Sequence, residues 1–150
     1  MTTVAFDGET LAADKQATIG YRKIVEPTPK IREITYNGKK ALVGIAGNID
    51  FAWKIVKWLE DGEDEPDFDE PEFDEDEQNT CVMLIQDGVF LFNSAGMNQN
   101  FGKIKWAIGS GAEYAMGAME MGATATEAVE LAMRLDIFSG MGMDVLRVEE

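Results

Sequence analysis

The chain opens MTTVAFDGETLAADKQATIG, residues 1–20. Residues 2–6 (TTVAF) and 9–13 (ETLAA) are short β-favouring runs separated only by Asp7-Gly8, a pairing typical of two-residue hairpin loops. The sequence therefore predicts an opening β-hairpin, followed directly by the polar stretch Ala13-Asp14-Lys15-Gln16-Ala17-Thr18. Taken alone, Asp14 reads as a turn residue at the end of the second strand.

Working outward, further strand signals lie at 30–34, 40–46, 80–86, 88–93, 104–108 and 143–148, with Asn37-Gly38 and Asp87-Gly88 as turn dipeptides between them. Helical periodicity runs from about Ile49 to Leu59, apolar on most sides. A second helix is expected to start at Ser110, where Ser110 and Glu113 form a capping-box pattern, with Tyr114, Ala115, Ala118 and Met119 on one face. A third starts at Thr124, with Glu127 completing another such box. About eight strands and three helices, with a strand at the end, give an α+β layer fold.

The net charge of −15 is local. Residues 60–77 hold 13 acidic side chains and no basic one, which leaves 15 acidic against 13 basic residues elsewhere. An imperfect pentad repeat, EPDFD followed by EPEFD at 65–74, adds two prolines to this charge density, so residues 60–79 read as a disordered, solvated loop. It interrupts one domain spanning 1–150, a length that supports a single core. The remaining Lys and Arg are scattered singly or in pairs, which argues against nucleic acid as a partner.

No stretch approaches the roughly 20 apolar residues of a membrane span, and the first residues lack a secretory pattern, so a cytoplasmic protein is expected. Cys81 stands alone in CVMLI; no intrachain disulfide can form, and a buried, inert thiol is expected. The chain contains no histidine. Ser-His-Asp and Cys-His catalysis are therefore excluded, together with the usual His-bearing zinc sites, and neither metal nor cofactor is expected. A hydrolase built from these residues needs another base near neutral pH. An α-amino group, titrating at about 7.7–8.0, lies closer to that range than carboxylates or lysines do. Removal of Met1 would expose Thr2 with a hydroxyl beside its own amine, the arrangement of an N-terminal threonine nucleophile.

The opening twenty residues resemble the start of mature proteasome β subunits and of their bacterial HslV-type relatives, a family of N-terminal nucleophile hydrolases. Four more segments match in order: Lys30-Ile31-Arg32-Glu33-Ile34, Gly44-Ile45-Ala46-Gly47-Asn48, Ala107-Ile108-Gly109-Ser110-Gly111 and Asp136-Ile137-Phe138-Ser139-Gly140. The resemblance implies a four-layer αββα sandwich in which the acidic loop replaces one outer helix. It implies Thr2 as nucleophile, and Lys30, held charged by Asp14, beside it. Gly47 is implied as oxyanion donor, with Ser110, Asp136 and Ser139 orienting the terminal amine. Thr18, Ile45 and Gly47 are implied to contact substrate, with Ile45 at the base of an apolar specificity pocket. The same likeness implies a threonine endopeptidase acting on polypeptides within a homo-oligomeric ring, with an ATPase unfoldase as its partner. Two other readings stand beside it: a non-catalytic scaffold or adaptor that binds partners through the acidic loop, and an amidase for small substrates.

Overall fold

The computed structural model describes residues 2–19, 22–62, 79–93 and 96–148. Two antiparallel sheets organise them. The first consists of β1 (Val4–Phe6), β2 (Thr10–Asp14), β10 (Trp106–Ile108) and β11 (Met143–Arg147), in the order β10-β1-β2-β11. The second is a sequential meander of β5 (Ile31–Tyr36), β6 (Lys39–Ala46), β7 (Cys81–Ile85), β8 (Val89–Asn93) and β9 (Gly96–Gly102). A small hairpin, β3 (Thr18–Ile19) with β4 (Arg22–Lys23), leaves the first sheet after β2. The helices are α1 (Ile49–Asp61), α2 (Ala112–Glu120) and α3 (Ala125–Leu135). Among the described residues no helix is long and apolar enough to cross a membrane.

Strand alternation explains how these elements stack. Val4, Phe6, Leu11 and Ala13 of the first sheet face Ile31, Leu42, Met83 and Leu91 of the second, which forms the inner core. The opposite residues of β1, β2 and β10 are Ala5, Ala12 and Ala107; they lie under Ala115 and Met119 of α2 and Ala125, Ala128 and Val129 of α3. Small side chains there let the helices sit close to the strands. On the far side, Ile34, Val43, Ile45, Val82 and Leu84 pack against Phe51, Ile55, Val56 and Leu59 of α1. The arrangement is α+β, as the sequence predicts.

The opening hairpin forms, with its turn displaced by one residue. Phe6 pairs with Leu11 and Asp7 N donates to Thr10 O, so the loop is Gly8-Glu9, with Gly8 at φ +107°. Asp7 then becomes a bracket: its Oδ1 accepts from Glu9 N and Thr10 N, and its Oδ2 accepts from Ala125 N at the start of α3. Burial opposes ionisation of Asp7, but the N–H groups of Ala125, Thr10 and Glu9 and the charge of Lys105 hold its carboxyl below the ordinary 3.8. Asn37 and Gly38, at φ +51° and +77°, make the two-residue loop that their dipeptide predicts.

Helix α1 runs two residues past the expected Leu59, so Glu60 and Asp61 are helical; the rest of the acidic stretch, residues 63–78, lies outside the described residues. The expected capping box of the second helix is absent. Gly111 is the N-cap of α2 without a side-chain bond, because the Ser110 hydroxyl is committed to Asp136. Tyr114 is exposed while Ala115 and Met119 are buried. The box at Thr124 and Glu127 is present with both of its bonds. Cys81 is only partly buried, yet enough to push its thiol up to about 12 against an ordinary 9.0.

Candidate active site

Thr2 stands at the entrance to β1. The register Val4↔Ile108 carries it opposite Ser110, just beyond β10. There Thr2 N donates to Ser110 Oγ at 3.0 Å, and Thr2 O accepts from Gly111 N at 3.1 Å. The segment allows no side chains on either flank. Gly109 lies at φ +99° and a Cβ there would overlap the Thr2 carbonyl; one on Gly111 would overlap Thr3 Oγ1. Thr2 is 2% exposed.

The second part of the site is the end of β2. Asp14 has no exposed surface, and both of its oxygens are fully engaged. Oδ1 accepts from Thr3 N at 2.9 Å and Lys30 Nζ at 2.8 Å; Oδ2 accepts from Gln16 N at 3.2 Å and Gly140 N at 3.0 Å. Lys30, just ahead of β5 and also fully buried, donates as well to Gln16 O. Burial is the largest influence on the Lys30 ammonium and lowers it from the ordinary 10.5, against the opposing charges of Asp14 and Asp136. The sequence-based expectation of a lysine held charged by Asp14 thus meets an opposing and larger desolvation.

The third part arrives from α3. Asp136 is its C-cap, and Asp136 Oδ2 accepts from Ser110 Oγ at 2.6 Å and Ser139 Oγ at 2.7 Å. Ser139 Oγ also shares a 2.7 Å hydrogen bond with Thr3 Oγ1. Residues separated by more than a hundred positions thereby meet beside Thr2 and Thr3: Ser110 at the Thr2 nitrogen and Ser139 at the Thr3 hydroxyl. Thr2, Asp14, Lys30, Ser110, Asp136 and Ser139 form one hydrogen-bonded assembly through Thr3, Gln16 and Gly140.

Gly47 sits at the end of β6. Antiparallel pairing places Lys30 opposite Ile45, whose N donates to Lys30 O at 2.9 Å, so Gly47 follows two residues beyond. Gly44 permits the approach of the sheets here, since a Cβ on it would lie 2.5 Å from Val4 Cγ1. Among the described residues none accepts the Gly47 N–H. Thr18 is half-buried on β3 and is reached through Gln16 Nε2, at 3.4 Å. Ile45 has no exposed surface and packs in the core under α1.

Sequence reasoning passed over Gln16 and Thr3. Gln16 is 2% exposed, donates from Nε2 to Ile137 O at 3.1 Å, and takes the Lys30 ammonium on its carbonyl, so it ties both halves of the assembly. Its place two residues after Asp14, within the polar stretch 13–18, was the available signal. A surface cleft bordered by Gln16, Lys23, Arg134, Asp136 and Ser139 reaches the assembly from outside. Among the described residues no group of His, Cys, Asp and Glu could hold a metal ion.

No protein-family model matches the sequence, and no curated protein does. Solved structures do match. HslV from Trypanosoma brucei superposes with a TM-score of 0.73 at 21% identity, covering 99% of both chains. Thiobacillus denitrificans BPH gives 0.70 at 22% identity, over 99% of this chain and 98% of the other. The same protein in complex with epoxomicin gives 0.71 at 21% identity over the same shares. Over its whole length, the chain has the fold of the HslV and BPH proteins.

Proposed function

We propose that this chain is a threonine peptidase subunit of the proteasome and HslV type, active once Met1 is removed and Thr2 is the N-terminus. The observation that carries the reading is the hydrogen bond from Thr2 N to Ser110 Oγ, at the head of the Ser110–Asp136–Ser139 network. A nitrogen held this way has a fixed direction, which a terminal amine needs if it is to act as base for its own side chain. Around it the chain is organised as the αββα sandwich of N-terminal nucleophile hydrolases.

In this mechanism Thr2 Oγ1 attacks the scissile carbonyl and passes its proton to the Thr2 amine. Lys30 supplies positive charge beside the nucleophile, kept in place by Asp14 Oδ1 and Gln16 O. The Gly47 N–H receives the developing oxyanion, a type of contact worth about 3 kcal/mol in other hydrolases. The amine then protonates the leaving nitrogen, and water, deprotonated by the same amine, releases the acyl group from Thr2. Thr18 and the Gly47 backbone line the substrate. We place the subunit in a cytoplasmic homo-oligomeric ring that takes polypeptide substrates, with an ATPase unfoldase as partner.

The test begins with the intact mass of the purified chain, which should lack Met1. Treatment with the proteasome inhibitor epoxomicin, seen bound to the BPH protein, should then modify Thr2 alone on peptide mapping. Folded Thr2→Ala protein should neither react nor cleave fluorogenic peptides; measurable turnover by it would sink the mechanism.

A further inference from the structure

Thr80 begins the chain's return from the acidic stretch into β7, and it is 1% exposed. It touches the backbone that the proposed mechanism uses for the oxyanion. Ala46 is the last residue of β6 fixed by pairing, opposite Cys81. Beyond it the chain turns through Gly47 at φ +91°, where a side chain would be strained and where a Cβ would lie 2.5 Å from Thr80 Cα, 2.6 Å from Asn79 O and 2.8 Å from Thr80 N. Main chain therefore packs on main chain at this point. The next peptide is tied down by the Thr80 side chain: Asn48 N donates to Thr80 Oγ1 at 3.1 Å. Asn48 Oδ1 in turn accepts Phe51 N at 3.0 Å and caps α1.

From this geometry we infer that Thr80 is a positioning residue for the oxyanion donor, acting through its hydroxyl on the Gly47–Asn48 peptide. The inference rests on the reading of Gly47 given above. The β6 ladder fixes the chain before Gly47, and Thr80 together with the α1 cap fixes it after, so the Gly47 N–H keeps one direction. It is the flexible glycine that makes the clamp necessary. A residue free to adopt either sign of φ would otherwise swing its amide away from the carbonyl being attacked, and misplacements of about 1 Å are costly to rate.

The experiment compares Thr80→Val, which keeps shape and loses the acceptor, with Thr80→Ser, which restores it. Thr80→Ala is carried alongside, so that a folding failure of the valine variant leaves the comparison intact. Two readouts are taken on the assembled enzyme: kcat and KM for a fluorogenic peptide, and inhibition by a peptide aldehyde, whose adduct with Thr2 Oγ1 carries the oxygen of the tetrahedral state. We expect Thr80→Val or Thr80→Ala to lower kcat about 10- to 100-fold with KM within about threefold, and to weaken the aldehyde by a similar factor. Thr80→Ser should stay near the parent in both. A generally loosened structure would raise KM and weaken ground-state ligands alike, and that outcome overturns the inference, as does a serine variant as impaired as the valine one. Parent enzyme without turnover or aldehyde sensitivity would instead defeat the functional reading itself. Parent activity with unimpaired Thr80→Val defeats only the role given to Thr80.

Discussion

Replacing Asp14 by asparagine leaves the shape of the side chain and removes its charge. The consequences can be worked out from its four donors. Thr3 N and Lys30 Nζ address Oδ1, and Gln16 N and Gly140 N address Oδ2. Whichever way the new amide faces, its NH2 group meets two donors in place of two acceptor bonds, and Lys30 loses its closest counter-charge. Removing one partner of a buried ion pair costs about 3–5 kcal/mol. Orphaned N–H groups add about 1–3 kcal/mol each, though not additively. Against a typical stability of about 5–15 kcal/mol, the Asp14→Asn chain should be close to the limit of folding. Lys30→Met should cost less, because Asp14 retains three backbone N–H donors. Combined with Asp14→Asn, the change Lys30→Met should cost less than the sum of the two single changes, by a coupling energy of about 1–3 kcal/mol. Urea unfolding at fixed protomer concentration measures all four corners of the cycle. A single cost of Asp14→Asn under about 1 kcal/mol, or additivity within about 0.5 kcal/mol, would refute the reasoning.

Three other outcomes are expected. Gly109→Ala, with φ +99° and the Thr2 carbonyl in the way, should abolish turnover and destabilise the fold, whereas Gly117→Ala on α2, where a Cβ meets nothing within 4 Å, should stabilise by about 0.5–1 kcal/mol; melting and peptide assays on both give the contrast. In alkali two groups act with opposite sign. Unfolded lysine holds a proton that Lys30 gives up below the ordinary 10.5, so its contribution to stability rises with pH from its lowered value up to 10.5. Folded Cys81 keeps its proton to about 12 while the unfolded thiol loses it near 9.0, so its contribution falls over that window, and urea curves of Lys30→Met and Cys81→Ala against the parent should diverge accordingly. Finally, replacing residues 63–76 with a neutral Gly/Ser linker of equal length should leave peptide turnover intact, since Thr2, Asp14 and Lys30 lie elsewhere in the chain; loss of turnover in a correctly assembled variant would contradict this.

The elements easiest to read were those with a local cause. The Asn37-Gly38 loop, the Thr124–Glu127 box and the alternating strands each follow from neighbours in sequence. Strand β9, GMNQNFG, escaped notice because it is polar, starts and ends in glycine, and pairs along one edge only, with irregular register. The capping pattern at Ser110 fails for a related reason. A serine three residues before a glutamate carries a valid capping pattern, and only the arrival of Asp136 from 26 residues downstream diverts its hydroxyl. The site residues were named through a family likeness. What the likeness could not supply is the wiring: Thr3 to Ser139 and Gln16 to Ile137 join positions 136 and 121 residues apart, and no local pattern encodes such contacts. The desolvation that lowers Lys30 likewise depends on both sheets closing over it.

Helix α3 is fastened at both ends to the same hairpin's surroundings. Its first N–H is taken by Asp7 at the turn, and its C-cap, Asp136, gathers Ser110 and Ser139 at the other extreme. Eleven residues at a rise of about 1.5 Å make a rod of about 16 Å between those anchors. Ala128, Val129 and Ala132 lie flat on the strands with no exposed surface, which leaves the rod little play sideways. The helix thus works as a gauge block. The hydroxyls beside Thr2 are thereby tied, through a single helix, to a turn at the opposite end of the sheet.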